Sequence, residues 1–162
     1  VNFGVTAARA LQDGKIDGFW ANGMGAEVAI KSGAGTLVID ARRGDGPSSA
    51  FNYTMPALIT SEKLINENPD ACAAAVRALV KTQNALKDNY QLATEVGRKR
   101  FPAEEAELIA DIIQRDLPFY NAAITPEFIS GMNSFSQAMG LIDSEVKYED
   151  AVATEFSDLW NA

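Results

Sequence analysis

Between Thr6 and Asp40 the spacing of hydrophobic and polar positions changes period repeatedly. Thr6 to Gly14 has helical spacing, with threonine as N-cap and glycine as stop. Ile16 to Trp20 is then short, apolar and bounded by turn residues, as a buried strand is. Met24 to Ser32 reads as a second helix, closed by Gly33 and Gly35, and Thr36 to Ile39 is β-branched and apolar enough for a second buried strand. Strands joined by a helix pair in parallel with a right-handed crossover, so the expected fold class is α/β, built on one βαβ unit. Ligands of such sheets collect outside the carboxyl ends of the strands, here Phe19-Trp20-Ala21-Asn22-Gly23 and Asp40-Ala41-Arg42-Arg43. The first of these turns feeds a helix N-terminus, whose free N–H groups favour an anion, and Gly23 and Gly25 would let a ligand approach the backbone closely.

The polar stretch Arg42 to Ser49, RRGDGPSS, breaks the pattern and is expected to cross between lobes. Phe51 to Thr60 is β-rich, but Pro56 cannot donate to a ladder, which confines the stretch to an edge or a bent connection. Helical patterns follow. Ser61 starts one, and Pro69 to Asp88 carries Ala73, Val76, Leu79, Val80 and Leu86 on one face with proline at its first position. Pro102 opens another through Arg115, with Glu104, Glu105 and Glu107 in its first turns. Thr125 to Gly140 carries the stripe Phe128, Met132, Phe135 and Met139, read as core, and Tyr148 to Ala162 reads as a last helix docking on those before it.

Composition narrows the chemistry. The chain has 162 residues, is 47% hydrophobic and lacks an apolar run near the roughly 20 residues of a membrane span, so its length suits one domain or two incomplete lobes. It opens Val1-Asn2-Phe3-Gly4-Val5, with neither a starting methionine nor a basic-then-apolar leader, as a trimmed or partial chain does. The chain has no histidine, which removes histidine-based triads, bases and metal sites. Its single cysteine, Cys72, sits in an alanine-rich helical run as a small buried thiol, and zinc and iron–sulfur sites are not expected. The net charge of −8 is uneven: residues 102–162 hold 2 basic and 12 acidic side chains. Nucleic acid and anionic membrane are therefore not expected as partners.

Read in order, the segments AL-x-DGKIDGF, KSGAGTLVID, MPALITSEKLINENPDACAAAVRAL and GLIDSEVKYEDAVATEFSDLW resemble the substrate-binding proteins of ABC importers. The branch resembled holds the nitrate, sulfonate and taurine binders and the thiamine-precursor-binding proteins. The resemblance implies a two-lobe periplasmic binding fold of type II, with residues 1–48 as a partial second lobe and 49–162 as the return crossing and helical part of the first. Family members are about twice this length, so the chain would correspond to a second half. Such a half is expected to exchange elements with a second copy as a homodimer, because its sheet edges would otherwise be open. The eukaryotic synthases of that branch carry a cysteine-rich stretch and a catalytic histidine, which a chain with no histidine cannot match.

The expected function is that of a non-enzymatic, periplasmic or membrane-anchored extracellular solute receptor. It would close on a small polar or anionic molecule (a sulfonate, nitrate, carboxylate or thiamine-precursor pyrimidine) and deliver it to an ABC permease in the membrane, with no cofactor. Trp20, Asn22, Gly23, Arg42, Asn52 and Tyr53 are the candidate cleft residues. Trp20 or Phe19 could stack on a flat ligand, and both could equally be core aromatics. Asn22 and Gly23 could hold a polar group or simply cap the helix that follows. Arg42 and Arg43 could clamp an acid group or lie in a solvated turn. Asn52 and Tyr53 would face the cleft or serve as ordinary strand residues. Glu27, Asp40 and Asp17 make no defensible acid–base pair without geometry. The alternative is a Rossmann-like enzyme that binds a phosphate ligand through the Asn22 to Gly25 loop, although Val28 stands where a dinucleotide fingerprint has its third glycine.

Overall fold

The computed structural model describes residues 4–21, 23–46 and 56–161. Helices α1 (Val5–Gln12), α2 (Met24–Lys31), α3 (Glu62–Glu67), α4 (Pro69–Asp88), α5 (Gln91–Gly97), α6 (Ala103–Asp116), α7 (Pro126–Ala138) and α8 (Tyr148–Ala151) are joined by loops and short 3-10 turns. The chain is 63% helix with no strand among the described residues, which overturns the expected α/β, periplasmic-binding-type fold. Ile16 to Trp20, Thr36 to Ile39 and the described part of Phe51 to Thr60 have no regular structure. Val38 and Ile59 are each 86% exposed rather than buried in a sheet. A strand exists only through hydrogen bonds to a neighbour, and none of the described residues supplies one to these segments.

The helix ends follow from local chemistry. Gly14, Gly33 and Gly140 take positive φ, and the turns after α1 and α7 close identically. Gly14 N–H donates to Leu11 O (3.0 Å) and Lys15 N–H to Ala10 O (2.9 Å), while Gly140 N–H donates to Gln137 O (3.0 Å) and Leu141 N–H to Ser136 O (2.8 Å). These paired bonds satisfy carbonyls that a bare helix end leaves open. Ser61 caps α3 by accepting from Leu64 N–H (3.2 Å), and Asn68 Oδ1 accepts from Ala71 N–H (3.2 Å) at the start of α4. At α1 the N-cap is Gly4 rather than Thr6. The expected last helix divides into α8 and the 3-10 turn Thr154–Asn161, because Val152 takes an extended backbone at φ −123°.

The chain forms two compact units. The first comprises the described residues of Val1–Ile39 and Ala85–Phe119, in which α1 packs on α2, α2 on α6 and α6 on α5. Its buried side chains are small: Ala7, Ala8, Ala10, Ala29, Ala106 and Ala110. Such residues let helix backbones approach closely. A Cβ on Gly25 would stand 2.7 Å from Gly4 Cα, and one on Gly97 would stand 2.6 Å from Ile109 Cδ1.

The second unit comprises the described residues of Asp40–Asn84 and Tyr120–Ala162, and buries Cys72, Val80 and Val152. Asn133 holds the segment after α7 by both ends of its carboxamide. Its Nδ2–H donates to Val146 O (2.8 Å) and its Oδ1 accepts from Val146 N–H (3.1 Å). Tyr148 O–H donates to Ile124 O (2.6 Å), tying α8 to the approach to α7. The stripe expected as core is largely outside: Met132, Phe135 and Met139 are exposed, and Phe128 is half-buried.

Candidate functional site

The first unit contains an open groove of about 410 Å³ walled by three helices. Helix α1 contributes Val5, Arg9 and Gln12, positions that share one face of a helix. Helix α2 contributes Val28 and Lys31, with Ser32 at its C-cap, and α6 contributes Glu105 and Leu108 below its cap residue Pro102. Val5, Val28, Leu108 and Pro102 give the groove apolar walls, and the basic heads of Arg9 and Lys31 give it acid-binding donors.

The two cations differ. Lys31 Nζ is paired with Asp111 Oδ2, both half-exposed, so this link is easily exchanged for another anion. Arg9 lies on the exposed face of α1 and makes no ion pair among the described residues, leaving its planar fork available to a carboxylate or sulfonate. Ser32 Oγ donates to Ala29 O (3.1 Å), which leaves its lone pairs to accept from a solute. Glu105 is the acidic member of the lining and sets a limit on how much negative charge the groove takes.

A second charged group braces the same helices. Arg115 on α6 pairs through Nη1 with Glu27 Oε1 on α2 and donates from Nε to Asp116 Oδ1 (3.0 Å), all with side chains 13–19% exposed. Its Nη2 is buried without a hydrogen-bond partner among the described residues. This cluster braces α2 against α6, and removing Arg115 would take the cation from both carboxylates at once.

The sequence-derived candidates lie elsewhere. Trp20 is 68% exposed and is not in the lining of the α1–α2–α6 groove. Gly23 is the N-cap of α2 at φ 55°. Arg42 lies in the 3-10 turn Ala41–Arg43, and Asn22, Asn52 and Tyr53 fall outside the described residues. Gly25 faces the backbone of Gly4 rather than open space, so the Asn22 to Gly25 loop gives a phosphate no approach at that glycine. Asp40 is buried, with its N–H donating to Asp45 Oδ2 (2.9 Å) and Arg43 Nε 3.4 Å from its carboxylate, so it serves the turn. Arg9, Gln12 and Lys31 escape sequence reasoning because polar residues on a helix face look like ordinary solvated positions. The one available signal is the spacing of Val5, Arg9 and Gln12, which places an arginine beside an apolar position.

No family model, curated protein or solved structure matches this chain. Among the described residues no helix is long and apolar enough to cross a membrane.

Proposed function

We propose that the chain is a solute-binding component of an ABC importer, capturing a small acidic molecule in the α1–α2–α6 groove and passing it to a membrane permease without chemical change. The observation that carries this reading is the pair Arg9 and Lys31 on one apolar-walled groove. An entering acid group takes Arg9 as a forked donor and displaces Asp111 from Lys31, while the apolar walls receive the rest of the solute. The order of the four sequence segments given above supports the transport role, and a periplasmic or anchored extracellular location accompanies it. The described residues form no sheet, and this favours the groove over a cleft at strand ends as the place of capture.

Isothermal titration with small sulfonates, nitrate, aliphatic and aromatic carboxylates and pyrimidines tests the reading. At least one acid is expected to bind and be recovered unchanged, and Arg9→Ala is expected to weaken it about tenfold, the loss of one charge-assisted hydrogen bond. Binding indifferent to both Arg9→Ala and Lys31→Ala, or turnover of the bound acid, overturns it.

A further inference from the structure

A second surface stands independently of solute capture. In the second unit, α7 and the segment that follows it enclose an apolar groove of about 190 Å³. Ile129, Met132 and Ser136 form the α7 wall, and Ile142, Val146 and Ala151 form the other. Asn133 also borders it, but its carboxamide is engaged with the backbone of Val146, so beside the Ser136 hydroxyl the groove offers a partner mainly apolar surface. Apolar exposure continues past the groove through Phe135, Met139 and Leu141, the last 70% exposed. Methionines on such a surface adapt to side chains of different shape.

The charge around the groove selects the partner. Asp143, Glu145 and Asp150 are exposed chain neighbours of the lining residues Ile142, Val146 and Ala151. From residue 120 to 162 the chain carries seven carboxylate side chains and a single cation, Lys147. We infer that this groove receives a basic amphipathic helix of another protein, with one large apolar side chain entering beside Met132 and lysines or arginines meeting the surrounding carboxylates. A second copy is disfavoured as occupant, because a two-fold contact would set the same carboxylates against each other. An anionic membrane is disfavoured for the same reason.

The test is fluorescence anisotropy of a labelled leucine–lysine amphipathic helix, about six turns long, against the whole chain. Two control peptides accompany it: one with the same composition in scrambled order, the other with lysine replaced by glutamate. The leucine–lysine helix is expected to bind at micromolar concentration and to weaken at least about tenfold in Met132→Asp. The triple variant D143N/E145Q/D150N leaves the apolar walls intact. It should lose about fivefold at low salt and show a flatter salt dependence. Equal binding of the scrambled peptide or of the glutamate peptide overturns the proposal. Sedimentation showing that the unliganded chain dimerises through a contact broken by Met132→Asp also overturns it, by making a second copy the occupant.

Discussion

The first unit packs helix on helix through glycine and alanine, whereas in the second the segments around α7 are tied by side chains that bond backbone. In the first, Gly25 meets Gly4 and Gly97 meets Ile109 and Ala106, and the Arg115–Glu27 pair spans α2 and α6. In the second, Asn133 clamps Val146, Tyr148 reaches Ile124, and the large apolar side chains of α7 remain outside. Close backbone approach fixes the position of a helix but tolerates no added atom. A side-chain clamp loses a bounded amount when removed and leaves the neighbouring packing intact. The two units should therefore answer to mutation on different scales.

Each unit carries one tryptophan, Trp20 in the first and Trp160 in the second, so single-tryptophan variants read denaturant unfolding of each separately. The largest effect is expected from Glu27→Ala, which leaves the mostly buried Arg115 guanidinium with Asp116 as its remaining carboxylate partner and should destabilise the first unit by about 3 kcal/mol, the low end of the cost of breaking a buried pair. The triple variant E27L/R115M/D116N, which leaves none of the three charges, should recover most of that loss, and a triple variant as unstable as the single one would show that packing rather than charge is responsible. Gly25→Ala should cost about 2 kcal/mol by Trp20 fluorescence, because the new methyl meets backbone and not a side chain that can turn away. Gly97→Ala clashes with the flexible end of Ile109 and makes ordinary contact with Ala106, and the better helix propensity of alanine offsets part of its cost.

In the second unit, Asn133→Ala removes both bonds to Val146 and should cost about 1.5 kcal/mol by Trp160 fluorescence. A loss as large as that of Glu27→Ala would end the contrast between the units. The smallest effect concerns pH. Its own backbone N–H, and then the Thr125 hydroxyl, hold the exposed Glu127 carboxyl below its ordinary value. The carboxylate's contribution to the start of α7 is therefore present above the unfolded pKa and lost as pH falls through the lower folded one. Helix content followed by circular dichroism should drop slightly over that acid range in the native chain, and Glu127→Gln should flatten the step.

Helix ends are the part of this fold most readable from sequence. Gly14, Gly33 and Gly140 stop helices, Ser61 caps one, and Pro69 and Pro126 open theirs, because each of these choices is settled within a few residues of backbone. Thr36 to Ile39 misleads because an apolar, β-branched run specifies only a willingness to pair; the pairing itself depends on a distant partner. The stripe on α7 misleads in another way. Phe128, Met132, Phe135 and Met139 do share a helix face, but a face shared is not a face covered. The groove between α1, α2 and α6 is hidden for a third reason: Arg9, Lys31 and Glu105 lie on separate helices, and only tertiary packing joins them.

If the α1–α2–α6 groove captures a solute as proposed, the contact between Gly4 and Gly25 bears on how it would choose its occupants. At that end the spacing of α1 and α2 is set by backbone meeting backbone, with no rotamer to turn and no methyl to yield. It acts as a mechanical stop. On that reading, solutes that differ in bulk would be accommodated from the α6 side, through Pro102, Glu105 and Leu108, so variants of those residues should redirect size preference while Gly25→Ala should disturb the groove as a whole.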